Sequence, residues 1–192
     1  MLKITAPREL LRCALHDNDP HYPTPNAQKQ NVSTLPPTDG IMTANFLDPN
    51  DYQALAARLR ALTPDAPRRW GTMSAQQMLV HCADQLRISR GEKAVTSVRL
   101  PGFIKPLAKW LIVTRHQEFK PGMRTLKEMD ANAGLSALTT FEGDRAALLE
   151  LLAPVNNLGD GVEHPLFGHL SRQEFGEVTW KHLDHHLRQF GA

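Results

Sequence analysis

Residues 171–190 read Ser171-Arg172-Gln173-Glu174-Phe175-Gly176-Glu177-Val178-Thr179-Trp180-Lys181-His182-Leu183-Asp184-His185-His186-Leu187-Arg188-Gln189-Phe190. Ser171 followed three residues later by Glu174 is the capping-box signature of a helix start. At about 100° per residue, His182 and His186 are offset by only ~40° and lie one turn apart, ~6 Å along the axis. Phe175, Val178 and Gln189 share their face, and Leu183, Leu187 and Phe190 occupy the flank expected to pack inward. Lys181, Asp184, Glu177 and Arg188 take the opposite, solvated face. The two imidazoles therefore sit at the edge of an apolar stripe, pointing toward a core. His185 projects ~100° from His186, nearer the polar side, and is the poorer ligand, although pairing with His182 at i, i+3 stays open.

Three more helical segments lie upstream. The first spans about Asp48 to Leu62, with Pro49 in the first turn and Pro64 and Pro67 beyond its end. A second starts at Ser74, boxed with Gln77, and runs to about Arg90 before Gly91. The third covers roughly Phe141 to Leu152 and stops at Pro154. About fifty residues of mixed character separate the second from the third. Within them Pro101 to Thr114 makes a short amphipathic helix with Phe103, Leu107, Trp110 and Leu111 on one side. It reads as a crossover covering one end of a bundle, or as a lid or membrane-surface patch. No internal repeat and no convincing alternating strand is found. The expected fold is all-α, a four-helix bundle with a long crossover between helices 2 and 3.

Residues 1–41 divide from the rest. From Asp17 to Ile41 the chain is rich in Pro, Asn, Gln, Thr and Asp and offers almost nothing to a core, so 1–41 is expected to be a disordered extension and 42–192 the folded domain. A chain beginning at Met42 should then keep the melting temperature of the full chain. A drop of more than a few degrees would show that the extension packs on the domain.

With 192 residues, 41% hydrophobic and 22% charged, the composition is that of a soluble globular protein with room for one domain. The net charge of +2, without any Lys/Arg-rich run, argues against nucleic acid as a partner. No segment approaches the ~18 apolar residues needed to cross a membrane. Two cysteines in unlike contexts, Cys13 and Cys82, and the lack of a secretory h-region point to a reducing cytoplasm.

His81 lies mid-helix in the second segment, with Gln77, Asp84 and Gln85 within ~60° of it. Alone it reads as a hydrogen-bonded core histidine. A third imidazole is, however, what the chelating pair His182/His186 lacks. Three histidines with one open position is the pattern of catalytic zinc and suits nickel or iron as well. Gln77, Asp84, Gln85 and Gln189 are candidates to orient ligands or line a pocket. His164, in the loop His164-Pro165-Leu166-Phe167-Gly168-His169, is a candidate acid, base or substrate contact, as is His169, or else part of a packed turn. No nucleophile motif, phosphate loop or paired-carboxylate signature is present, so no catalytic residue is assigned.

A histidine in the second bundle helix and a helical HxxxH in the last, here His81, His182 and His186, resemble the DinB/YfiT-like superfamily of metalloenzymes. The text Trp70-Gly71-x-Met73-Ser74-x-Gln76-Gln77-Met78-Leu79-x-His81-Cys82-Ala83-Asp84-Gln85-Leu86, the loop His164-Pro165-Leu166-Phe167-Gly168 and the stretch Lys181 to Phe190 resemble a branch known only as a domain of unknown function. The likeness covers roughly residues 45–192. It implies a four-helix bundle, often dimeric, with a divalent metal on three histidines at one end of a pocket. Better-understood relatives use low-molecular-weight thiols in transferase or isomerase reactions. The expectation is a metal-dependent enzyme acting on a small molecule, a thiol transferase, an isomerase or a hydrolase. The alternative is a non-catalytic metal-binding or stress-related helical bundle.

Overall fold

The computed structural model describes residues 43–96, 101–114, 119, 126–131, 133–153 and 159–192. Residues 1–41 and Cys13 lie outside them.

Helix α1 spans Pro49–Ala61. The Asp48 carboxylate accepts from the backbone N–H of Asn50 and Asp51, satisfying two of the orphan donors of the first turn. Helix α2 spans Ala75–Ser89, and both halves of the Ser74/Gln77 capping box form. It is buried on most sides, with Met78, Leu79, Cys82 and Leu86 wholly inaccessible. Helix α3 is a single turn and a half, Lys105–Lys109, continuing into a π-turn over Trp110–Thr114. Its Phe103, Leu107 and Trp110 side stays exposed while Val113 is buried, so this segment packs by a different side from the one its apolar pattern suggests. Helix α4 spans Phe141–Leu152, capped by Thr140, and helix α5 spans Arg172–Gln189, with the Ser171/Glu174 box complete.

The four long helices lie within a residue or two of their sequence-based bounds. The all-α bundle itself is wrong. Between α4 and α5 the chain forms an antiparallel hairpin, β1 (Gly161–His164) and β2 (Gly168–Ser171), making the fold a mixed helix-and-sheet arrangement. The register pairs Gly161 with Ser171, Val162 with Leu170, Glu163 with His169 and His164 with Gly168. Three residues, Pro165–Phe167, close the loop, and Gly168 takes φ +70°, the left-handed position such loops require. A Cβ on Gly161 would lie 2.0 Å from the Leu170 carbonyl oxygen, so only glycine permits this strand approach. Each strand is four residues long and presents one aliphatic side chain, Val162 or Leu170, to the core. His164 occupies the remaining inward position of β1, so the hydrophobic alternation that betrays a strand is missing.

One core joins α1, α2, α4, α5 and the hairpin. Phe46 and Phe175 meet edge to face, ring centres 5.6 Å apart, at its α1–α5 side. The hairpin packs on both α2 and α5, and β2 also touches α3. Among the described residues no helix is long and apolar enough to cross a membrane.

Candidate metal centre

The i, i+4 spacing of His182 and His186 on α5 places both rings against α2, where His81 sits mid-helix. One ligand nitrogen from each of the three lies within 4.8 Å of the others. His81 Nε2 and His182 Nε2 are 3.1 Å apart. Ring centres are separated by 5.1 Å for His81–His182 and 4.7 Å for both His81–His186 and His182–His186.

Hydrogen bonds fix the proton on two of the rings. His81 Nδ1 is 2.8 Å from the Met129 carbonyl, which can only accept, so Nδ1 carries the hydrogen and Nε2 presents its lone pair. His186 Nδ1 is 2.9 Å from Gln189 Oε1. The Gln189 amide is itself oriented, because its Nε2 donates to the Trp70 carbonyl at 2.8 Å, leaving Oε1 to accept from His186. Gly71 makes room for this contact: a Cβ there would stand 2.7 Å from Gln189 Nε2, and its φ is +75°. Anchoring the far nitrogen in this way is the common arrangement of metal-ligating histidines. The third ring differs, since His182 Nδ1 is buried without a hydrogen-bond partner among the described residues. Phe119 stands edge-on to it at 5.8 Å.

Burial holds all three imidazoles below their ordinary pKa, and their mutual repulsion pushes His182 and His186 further. The rings are therefore neutral near pH 7, the form that ligates metal. A tetrahedral ion ~2.05 Å from each nitrogen sets its donors ~3.3 Å apart. The His81–His182 separation already matches, and bringing the other donors from at most 4.8 Å to that spacing asks for about 1.5 Å of side-chain movement or less. Donor set, tautomers and spacing fit a borderline divalent ion.

His185 is not on the charged face. It is buried, with its ring 5.6 Å from Trp70 and 6.2 Å from Phe119. Segments distant in sequence cover this side of α5, and a helical wheel cannot show them. His185 nevertheless stays outside the converging set, with its ring centre 5.0 Å from that of His186. Glu177, also expected in solvent, is buried as well.

The polar stripe beside His81 turns elsewhere. Gln77 caps α2 and donates to the Ala131 carbonyl at 3.2 Å. Gln85 donates to Ser89 Oγ at 3.0 Å, and its Oε1 is buried without a partner among the described residues. Asp84 binds Lys93 Nζ at 2.6 Å, Ser136 Oγ at 2.7 Å and Ser136 N at 2.8 Å. Lys93 also reaches the carbonyls of Glu128 and Gly134, so this cluster holds the segment that delivers the Met129 carbonyl to His81. His164 is buried and stacked on Phe167, ring centres 4.5 Å apart. His169 faces solvent against Glu163. Met129, Trp70 and Phe119 were not legible as site residues, since two of them act through backbone carbonyls that any side chain would supply.

Replacing Gln189 with Leu removes the acceptor that orients His186 and should weaken metal affinity by about 10–100-fold, with stoichiometry kept. Competitive chelator titration measures this. An unchanged affinity would show that the Gln189 contact plays no part in ligation.

Residues 43–192 match the model of a family described as "Protein of unknown function (DUF1569)". No curated protein and no solved structure matches the chain.

Proposed function

The chain belongs to the DUF1569 family, and we propose that it is a divalent-metal-dependent enzyme using a small thiol in a transfer or isomerisation reaction. The observation that carries the proposal is the convergence of three imidazoles, His81 and His186 buried and His182 partly so, two with the proton anchored on the far nitrogen. His81, His182 and His186 would hold the ion, zinc in the first instance, with nickel or iron as alternatives. A bound ion supplies Lewis acidity that makes a coordinated thiol or water nucleophilic at neutral pH.

The rest is the work of the chain. Met129 and Gln189 keep two ring protons on Nδ1, so that both Nε2 lone pairs face the same point. Phe119 and the surrounding core keep bulk water from the rings. Three imidazoles leave one position for substrate. The preference for a thiol rests on the resemblance to the DinB/YfiT-like metalloenzymes, supported here by the His81, His182 and His186 positions. Cys82 is free and buried, in keeping with a cytoplasmic protein.

Spectroscopy of the Co²⁺-substituted protein tests this. Added small thiol should produce an intense sulfur-to-metal charge-transfer band, and His182→Ala should remove it. A fully loaded site that gives no band with a panel of cellular thiols would end the thiol reading.

A further inference from the structure

Lys105, at the start of α3, lays its side chain over the hairpin: its Cδ and Cβ are 3.7 and 3.8 Å from the point where Gly168 would carry a Cβ. Gly168 is the cross-strand partner of His164. The lysine and the histidine thus share one rung of the sheet, and the ammonium charge is felt at the imidazole. His164 is buried on β1, the strand that packs on both α2 and α5, the helices that carry the three histidines.

Among the described residues both groups have unused hydrogen-bonding capacity. His164 Nδ1 accepts from the Leu166 backbone N–H at 3.2 Å, so that nitrogen is unprotonated. Burial pushes the ring's pKa down to about 4, with Lys105 adding to the effect, so near pH 7 it is neutral and its one hydrogen is on Nε2. No described residue accepts from that Nε2–H. Lys105 is half-buried and has no ion pair or hydrogen bond among the described residues. The neighbouring lysine shows the contrast, since Lys109 is tied to Glu174 at 2.7 Å and to the His169 carbonyl at 2.8 Å. Among the described residues, then, an ammonium without a counter-ion lies beside a histidine N–H without an acceptor, and both are available to an anionic ligand.

We propose that Lys105 and His164 form a carboxylate subsite flanking the three-histidine centre, so that the substrate carries a carboxylate in addition to the group that reaches the histidines. This deepens the metal-site reading above and rests on it. One ammonium and one neutral N–H match the two oxygens of a carboxylate, whereas a phosphate would leave a third oxygen without a donor. His164 thereby becomes a substrate contact, and its buried, neutral state lets it donate without adding a second charge.

The test uses the Co²⁺-loaded full chain and compares 3-mercaptopropionate with 2-mercaptoethanol, reading each dissociation constant from the charge-transfer band. Wild-type protein should favour the carboxylate-bearing thiol by about tenfold, the scale of one charge-assisted hydrogen bond. Lys105→Gln and His164→Ala should each erase that preference while leaving 2-mercaptoethanol affinity and cobalt stoichiometry unchanged. Lys105→Arg and His164→Gln, which keep a cation and an N–H donor, should restore part of it. Bands for both thiols with no preference, or a preference untouched by Lys105→Gln, would overturn the subsite and leave the metal reading standing. If no thiol gives a band, the thiol reading falls, and propionate decides the subsite by ¹⁵N NMR. A propionate-dependent shift of the His164 signal, lost in Lys105→Gln, supports the subsite, and its absence overturns it.

Discussion

Alanine at His81, His182 or His186 should each abolish stoichiometric binding of a divalent ion, whereas His185→Ala should spare it. Each of the three contributes one nitrogen to the converging set, and removing any one leaves a two-imidazole site on a single helix or split across two. The loss should exceed the 10–100-fold typical of removing an outer hydrogen-bond partner. It should also erase any metal-dependent rise in Tm, which at a hundredfold excess over Kd corresponds to about 2.7 kcal/mol. His185 is packed among Trp70, Phe119 and His186, so its removal opens a small cavity without taking a ligand. If His185→Ala lost the ion while His186→Ala kept it, the assignment of ligands on α5 would be wrong.

Asp84→Ala should destabilise the domain by about 3 kcal/mol, the lower end for breaking a buried ion pair, because Lys93 and Arg87 retain partial exposure. The carboxylate is fully buried and binds Lys93, Arg87 and both hydrogen-bonding groups of Ser136. Its deletion strands the ammonium among backbone carbonyls and frees the segment that carries Met129. Burial alone would raise the Asp84 pKa, but the Lys93 and Ser136 contacts outweigh it and hold the value below the ordinary carboxylate range. A depressed folded-state pKa means stability that is complete above the unfolded value, ~3.9, and drains away as pH falls toward the folded one. Denaturant midpoints at pH 7 should therefore separate wild type from Asp84→Ala more widely than midpoints at pH 3. Equal midpoints at pH 7 would contradict this role.

What could be read from sequence was local. The caps at Asp48, Ser74, Thr140 and Ser171 act on backbone groups two or three residues away, so the helix starts they mark were legible. The His182/His186 pair followed from helix geometry alone, and His81 from the polar stripe it shares with Gln77, Asp84 and Gln85 and from the pair's need of a third imidazole. The hairpin was hidden because its strands are four residues long and put a histidine where an aliphatic residue would complete the pattern. His185 was misread, and the partners of Asp84 were not legible, for one reason: a wheel sees only its own helix. The groups that bury His185 come from Trp70 and Phe119, and those that claim Asp84 from Lys93 and Ser136. The Met129 and Trp70 carbonyls have no side-chain signature at all.

Three imidazoles from α2 and α5 are proposed to hold one divalent ion. Elemental analysis of the full chain purified without a histidine tag, before and after dialysis against Zn²⁺, tests this most directly. The account predicts one ion per chain in wild type and none retained by His81→Ala. Wild-type protein that is folded, metal-free and unable to take up zinc at micromolar concentration would contradict it.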